Sequence, residues 1–369
     1  MLRCIIGWRD KKENDMFGFS VFMNEQIDEQ KRCYIGEMAK SGFTGIFTSM
    51  HIPEDDASAY KERLAAIGEE AKRHNLDLMV DISGVALQTA GFAADDLSAL
   101  VELGVTGLRM DFHISNEQMA LWSRQIKISL NASTLTEKDI AELEAAGAVF
   151  ANLEAWHNYY PRPETGLDRQ WFAEKNRWLK EKGLTVQAFV PGDSYLRGPL
   201  FKGLPTLEEH RGINPLAAAM EIAKLDVDLI YIGDGGLSKK VQQQFLAYQQ
   251  EKVVTIFVED SGSEYFEYIL GEHINRQDDA RDVIRSAQAR FKKIPQIKAE
   301  KTAERKRGAV TVDNEAYLRY MGEIQIVKHD LPADSKVNVV AQVTAQDISL
   351  IAQIGAGIQY KLVKREEVE

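Results

Sequence analysis

Over residues 17–250 the hydrophobic period switches from two to 3.6 and back about eight times, and few folds accept such a chain. The run 126–167 shows the beat most clearly. A short apolar strand at 126–130 ends in Asn131-Ala132-Ser133-Thr134, and an amphipathic helix follows at 137–146. A second apolar strand at 148–153 then leads into Glu154, Trp156, His157, Asn158, Tyr159, Tyr160 and a Pro-Arg-Pro sequence. This is a βαβ unit. The same pattern predicts strands at 17–23, 45–49, 76–82, 107–112, 184–190 and 229–232. Helices are predicted at 27–41, 57–74, 94–102, 116–124, 168–182, 215–224 and 238–250, with Ser238 as an N-cap. Gly42, Gly104, Gly147 and Gly183 fall between a helix and the next strand, where a helix end calls for positive φ.

About eight βα units in roughly 235 residues have the repeat and size of a (β/α)8 TIM barrel. A doubly wound open sheet shares the local pattern, but no GxGxxG follows an early strand. After residue 250 the character changes. Strands are predicted at 253–258, 308–313, 323–329, 336–343 and 360–363, and the basic run 298–307 reads as a solvated loop. The expected organisation is a dispensable leader or over-called start at 1–15, a catalytic barrel at 16–250 and a β domain at 251–369.

Composition narrows the function. The net charge of −11 argues against a general nucleic-acid binder. The 44% hydrophobic content supports a large core, and no apolar run is long enough to span a membrane. Two cysteines without CxxC or zinc spacing suggest a reducing cytoplasm. The expected partner is therefore a small molecule, with no nucleic acid and no membrane. Assembly into a homo-oligomer is left open.

A parallel barrel carries its chemistry at the C-terminal ends of its strands. Read in order, those ends offer Glu25, Asp81 with Ser83, Asp111, Asn131 with Ser133, Glu154 with His157, Asp193 and Asp234. Any one of these acids has a bland reading as a helix cap or arginine partner. Six on one rim repel unless a ligand, cation or proton relieves them. No HxH or HExxH occurs, so neither a metal nor another cofactor is expected. Paired carboxylates are what glycoside hydrolysis needs, one protonating the leaving oxygen and one attacking the sugar or activating water. Trp156, Tyr159, Tyr160 and Tyr195 suit sugar rings, and Asn131, Asn158 and Ser133 suit hydroxyl or acetamido groups. Two long loops, 155–167 and 191–214, bring Arg162, Arg197 and Arg211 for an anionic group. Strand alternation puts Arg109 on the face of Asp111, where it would hold that acid.

The segments LNAST (130–134), LEAWHNYYPRPETGL (153–167), FVPGDSYLRGPLFKGLPTLEEHR (189–211) and DNEAYLRYMGEIQI (313–326) carry a resemblance. With them, the chain from about Met16 onward resembles the bacterial 6-phospho-N-acetylmuramidase family. The resemblance implies an N-terminal TIM barrel with a C-terminal cyclophilin-like β-barrel domain. It also implies cytoplasmic hydrolysis of N-acetylmuramic acid 6-phosphate linked β-1,4 to N-acetylglucosamine, a phosphorylated amino-sugar disaccharide, in peptidoglycan recycling. From the residues, Asp111 and Glu154 are the expected catalytic pair, with Asp81 and Asp193 next in line. Glu25, Asp81, Ser83, Asn131, Ser133, His157, Asn158, Tyr160, Arg162, Asp193, Arg197, Arg211 and Asp234 are expected to bind substrate. The alternatives are a sugar-phosphate aldolase or isomerase, which would need a lysine at a strand end, and a non-catalytic sugar-phosphate binder.

Overall fold

The computed structural model describes residues 16–50, 59–83, 89, 92, 97–110, 114–289 and 296–365. The expectation for residues 1–15 lies outside them. Eight parallel strands close in chain order into a barrel: β1 (Phe17–Ser20), β2 (Gly45–Ser49), β3 (Asp77–Ile82), β4 (Gly107–Met110), β5 (Lys127–Asn131), β6 (Leu153–Trp156), β7 (Thr185–Val190) and β8 (Leu229–Ile232). Pairing of β8 with β1, Phe17 opposite Ile230, completes the ring and excludes the open sheet. Helices Glu29–Lys40, Tyr60–His74, Ser98–Glu102, Asn116–Trp122, Glu137–Ala145, Arg169–Glu181 and Pro215–Ile222 alternate with the strands, and Lys239–Glu251 follows β8.

Local chemistry sets these boundaries. Asp28, Ser115, Thr136 and Asp168 each accept a hydrogen bond from the backbone N–H three residues on, and Thr136 with Asp139 completes a capping box. The four helix-end glycines all have positive φ. The strands are buried on both faces, as a barrel wrapped in helices requires. Their outward side chains, such as Ile46, Leu78, Leu108, Ile128 and Ile230, are inaccessible to water. Inside the ring Phe47, Met79, Trp156, Phe189, Leu229 and Tyr231 pack into one cluster, with the Trp156 and Tyr231 ring centroids 4.8 Å apart.

One boundary departs from expectation in a way that matters. The apolar run at 148–153 joins the strand only at its last residue. Ser123 Oγ accepts from Val149 N–H at 2.8 Å, and Asn152 Nδ2 donates to the Ser123 carbonyl at 2.7 Å. These bonds hold a 3-10 turn at Phe150–Asn152, and β6 starts only at Leu153.

The chain divides into two compact units, the second beginning at Gln243 apart from Leu216–Met220, which group with it. The second unit is a seven-stranded sheet of β9 (Val253–Asp260), β10 (Gly271–Ile274), β11 (Val283–Arg285), β12 (Ala309–Asp313), β13 (Ile324–Val327), β14 (Val337–Val343) and β15 (Gln359–Lys364). Its order is β10-β15-β9-β14-β12-β13-β11. A bridge between Asn275 and Ser286 joins the two outer strands just past their ends, so the sheet is nearly closed and barrel-like. Val254, Ile256, Val310, Val312, Ile324, Ile326, Val340 and Leu362 fill its core. The short strands β10 and β11 escape prediction, because they lie in a charge-rich stretch, 271–285, with no sustained apolar alternation.

His157, first residue after β6, faces outward and packs on Phe172 with ring centroids 4.6 Å apart. Its Nε2 lies 2.6 Å from Asn176 Oδ1. Asn176 Nδ2 donates to the Leu225 carbonyl, so the His157 Nε2–H is the donor of the pair. Burial lowers the pKa of His157 to about 4 and does the same to His210. In the unfolded chain both protonate near the ordinary value of about 6.5. Between those values the unfolded state binds more protons, so stability should fall as pH drops from about 6.5 towards 4. Urea melts at pH 7 and pH 5 should show this loss, and His157→Gln should reduce it. An identical loss in the variant would remove His157 as a source.

Candidate active site at the barrel mouth

The C-terminal ends of β2, β3 and β4 bring Ser49, Asp81 and Arg109 together. Asp81 is buried and receives two donors: Ser49 Oγ at 3.0 Å and Arg109 Nη1 at 2.7 Å. The same guanidinium donates through Nη2 to Asn158 Oδ1, in the loop after β6. The next residue, Tyr159, packs edge-on against Phe47 and Phe189 and accepts from Arg197 Nη1 at 2.8 Å. Arg197 lies over Phe22, its Cζ 4.4 Å from the ring centroid. A polar path therefore crosses the mouth from Asp81 through Arg109 and Asn158, and by way of Tyr159 to Arg197. Burial raises the pKa of the Tyr159 hydroxyl, which keeps its proton. Beside Arg197 a cavity of about 480 Å³ opens, walled by Phe22, Glu25, Lys31, Tyr195, Arg197 and Phe201. That is within the usual range for ligand pockets.

The two long loops are tied down by charges. Asp234 is inaccessible to water, and its carboxylate accepts from the backbone N–H groups of Gly192, Leu204 and Arg197 at 2.9, 2.9 and 3.1 Å. Burial raises its pKa and these three bonds oppose the shift. Arg211 donates to both Glu208 oxygens at 2.7 Å, to the Gly203 carbonyl at 2.9 Å and to the Tyr160 carbonyl at 3.0 Å. It lowers the pKa of Glu208 to about 2. Glu208 in turn accepts from Glu164 and Gly166 N–H at 2.8 Å each. Asp193 accepts from Ser238 N–H at 2.8 Å and Oγ at 2.6 Å, while Ser238 caps the last barrel helix through Val241 N–H. Asp193, Arg211 and Asp234, expected from the sequence to bind substrate, hold loops in place through these bonds. Their bonds run to the protein itself.

Glu154 is displaced further. The late start of β6 makes it the second strand residue instead of the first mouth residue. Its carboxylate accepts from Trp156 Nε1 at 2.7 Å and lies 3.7 Å from Lys127 Nζ, which also pairs with Asp77 at 3.1 Å. Lys127 and Asp77 are the first residues of β5 and β3, so Glu154 belongs to the opposite pole of the barrel, beneath Trp156. His157, also expected to bind substrate, packs outward on the helix of Phe172 and Asn176.

The remaining expected residues stay near the mouth. Asn131, at the end of β5, accepts from Ser133 N–H at 3.1 Å. Ser83 is buried just beyond β3. Tyr160 is half-buried, with its N–H bonded to the Pro205 carbonyl. Arg162 is exposed, and Glu25 lines the cavity wall 3.3 Å from Lys31. Asp111 lies outside the described residues. Sequence reasoning missed Phe22, Gln30, Lys31 and Phe201 as cavity residues, although 22–31 directly follows a strand end. Among the described residues Glu209, His210 and Glu221 have the spacing of a metal site. Arg169 already pairs with both acids there.

Among curated proteins nothing matches the chain. Many solved structures do, two of them along nearly the whole chain. A conserved Enterococcus faecalis protein of unknown function is 51% identical with a TM-score of 0.88, over 95% of this chain and 96% of that one. An uncharacterized B. cereus protein is 26% identical with a TM-score of 0.71, over 95% and 99%. The N-terminal family profile described as 6-phospho-N-acetylmuramidase matches residues 17–247, and the C-terminal profile matches residues 254–363. Spanning both profiles on a closed barrel and a β domain, the chain belongs to the 6-phospho-N-acetylmuramidase family, whose name denotes a glycoside hydrolase activity.

Proposed function

We propose that the barrel mouth hydrolyses the β-1,4 bond between N-acetylmuramic acid 6-phosphate and N-acetylglucosamine, in the cytoplasm and in the service of cell-wall recycling. In this reading residues 16–250 are the catalytic domain. The observation that carries it is the polar path from Asp81 to Arg197, which puts an acid and an anion-binding cation on one rim. Among the described residues no carboxylate pairs with the Arg197 guanidinium, and two of its nitrogens remain for a phosphate. Asp81, with donors on both oxygens, offers acceptor oxygen for a base, a nucleophile or a cationic transition state. Asp111, two residues after Arg109 in sequence, is the partner that would protonate the leaving oxygen. Glu154 leaves the pair because of its place below Trp156. A Schiff-base aldolase is disfavoured, since Lys127 sits at the base of the barrel between Asp77 and Glu154.

Two outcomes are expected. Asp81→Asn and Asp111→Asn should each lower turnover of the phosphodisaccharide by at least ~10²-fold in protein that keeps its folded circular-dichroism spectrum, and Asp81→Asn should also melt lower because it leaves the buried Arg109 without its carboxylate. Near-wild-type turnover of either variant would strike that acid from the mechanism. Arg197→Ala should lose about 1.5–3 kcal/mol of the wild type's preference for the phosphorylated over the unphosphorylated disaccharide. A wild type indifferent to phosphate would overturn the anion site, and an unchanged preference in the variant would remove Arg197 from it.

A further inference from the structure

The loop after β7 is anchored firmly yet turns two aromatic rings towards water. Asp234 grips it at Gly192, Arg197 and Leu204, and Arg211 holds the Lys202 and Gly203 carbonyls. Between these anchors Tyr195 is 69% exposed and Phe201 is 62% exposed. Both residues have positive φ, 48° and 51°, a conformation bulky side chains rarely adopt. Strain of that kind persists where the surroundings over-determine it, and it collects at ligand sites.

Each ring is seated on glycine. A Cβ on Gly236 would come within 2.9 Å of the Tyr195 ring, and one on Gly235 within 3.0 Å of the Tyr195 carbonyl oxygen. A Cβ on Gly198 would come within 3.1 Å of the Phe201 ring. The Tyr195 hydroxyl accepts from Gln30 Nε2 at 3.0 Å, which ties the ring to the first helix. Both rings line the cavity that also holds Arg197. Each therefore rests on its glycine while most of its surface stays open at a pocket wall.

We propose that Tyr195 and Phe201 form a stacking platform for the uncharged N-acetylglucosamine, the sugar released on cleavage, while Arg197 takes the phosphorylated one. This rests on the glycosidase reading above. The apolar C–H face of a pyranose suits an open aromatic ring. Ring faces carry negative quadrupole density, so the anionic sugar is left to the Arg197 guanidinium.

The test is binding of each product, measured by ligand-observed NMR titration with N-acetylglucosamine and with N-acetylmuramic acid 6-phosphate. Tyr195→Ala and Phe201→Ala should each weaken N-acetylglucosamine by about three- to tenfold and leave the phosphosugar within about twofold. Arg197→Ala should do the reverse. Both aromatic residues are largely exposed, so melting should stay near wild type. Unchanged N-acetylglucosamine binding in both ring variants overturns the platform, as does an equal loss of both sugars. Binding does not need turnover. A protein that binds both products but fails to cleave the disaccharide would defeat the catalytic reading and leave the platform standing.

Discussion

Asp234 is a carboxylate with no contact to solvent, and isolated burial of such a group costs far more than a domain can tolerate. Three backbone N–H groups offset that cost, and all three come from one loop. The shape of 191–204 is therefore set by the need to satisfy one charge. From it follow the position of Arg197 and the exposure of Tyr195 and Phe201. Arg211 and Glu208 extend the same logic to the neighbouring loop by joining carbonyls and N–H groups of two segments. The mouth is shaped by these buried polar contacts as much as by apolar packing.

The rest of the site depends on height within the barrel. Alternation decides which side chains point inward, and position along the strand decides which pole they serve. Arg109 is inward and high enough to reach both Asp81 and Asn158. Glu154 is also inward, but low. Trp156 lies between it and the opening, and bonds it.

This explains what could be read from the sequence. The barrel, the Ser238 cap and the helix-end glycines were legible because periodicity and turn chemistry are local. The gathering of acids, amides and arginines after the strand ends is likewise visible in the sequence. The 3-10 turn at Phe150–Asn152 was not legible, since it is held by Ser123, more than twenty residues away. That slip moved Glu154 from one end of the barrel to the other. Nor could the sequence separate Arg197, which faces the cavity, from Arg211, whose donors go to the protein's own carbonyls and Glu208. Both lie in the same loop, and only the partners around them differ.

The filled interior has a consequence for traffic. Phe47, Trp156, Phe189 and Tyr231 occupy the barrel axis, and Lys127, Asp77 and Glu154 gather at its lower end. Such a barrel works as a blind vessel. Whatever arrives by the mouth departs by it. Under the proposed reading, the product held nearer the rim therefore leaves before the deeper one.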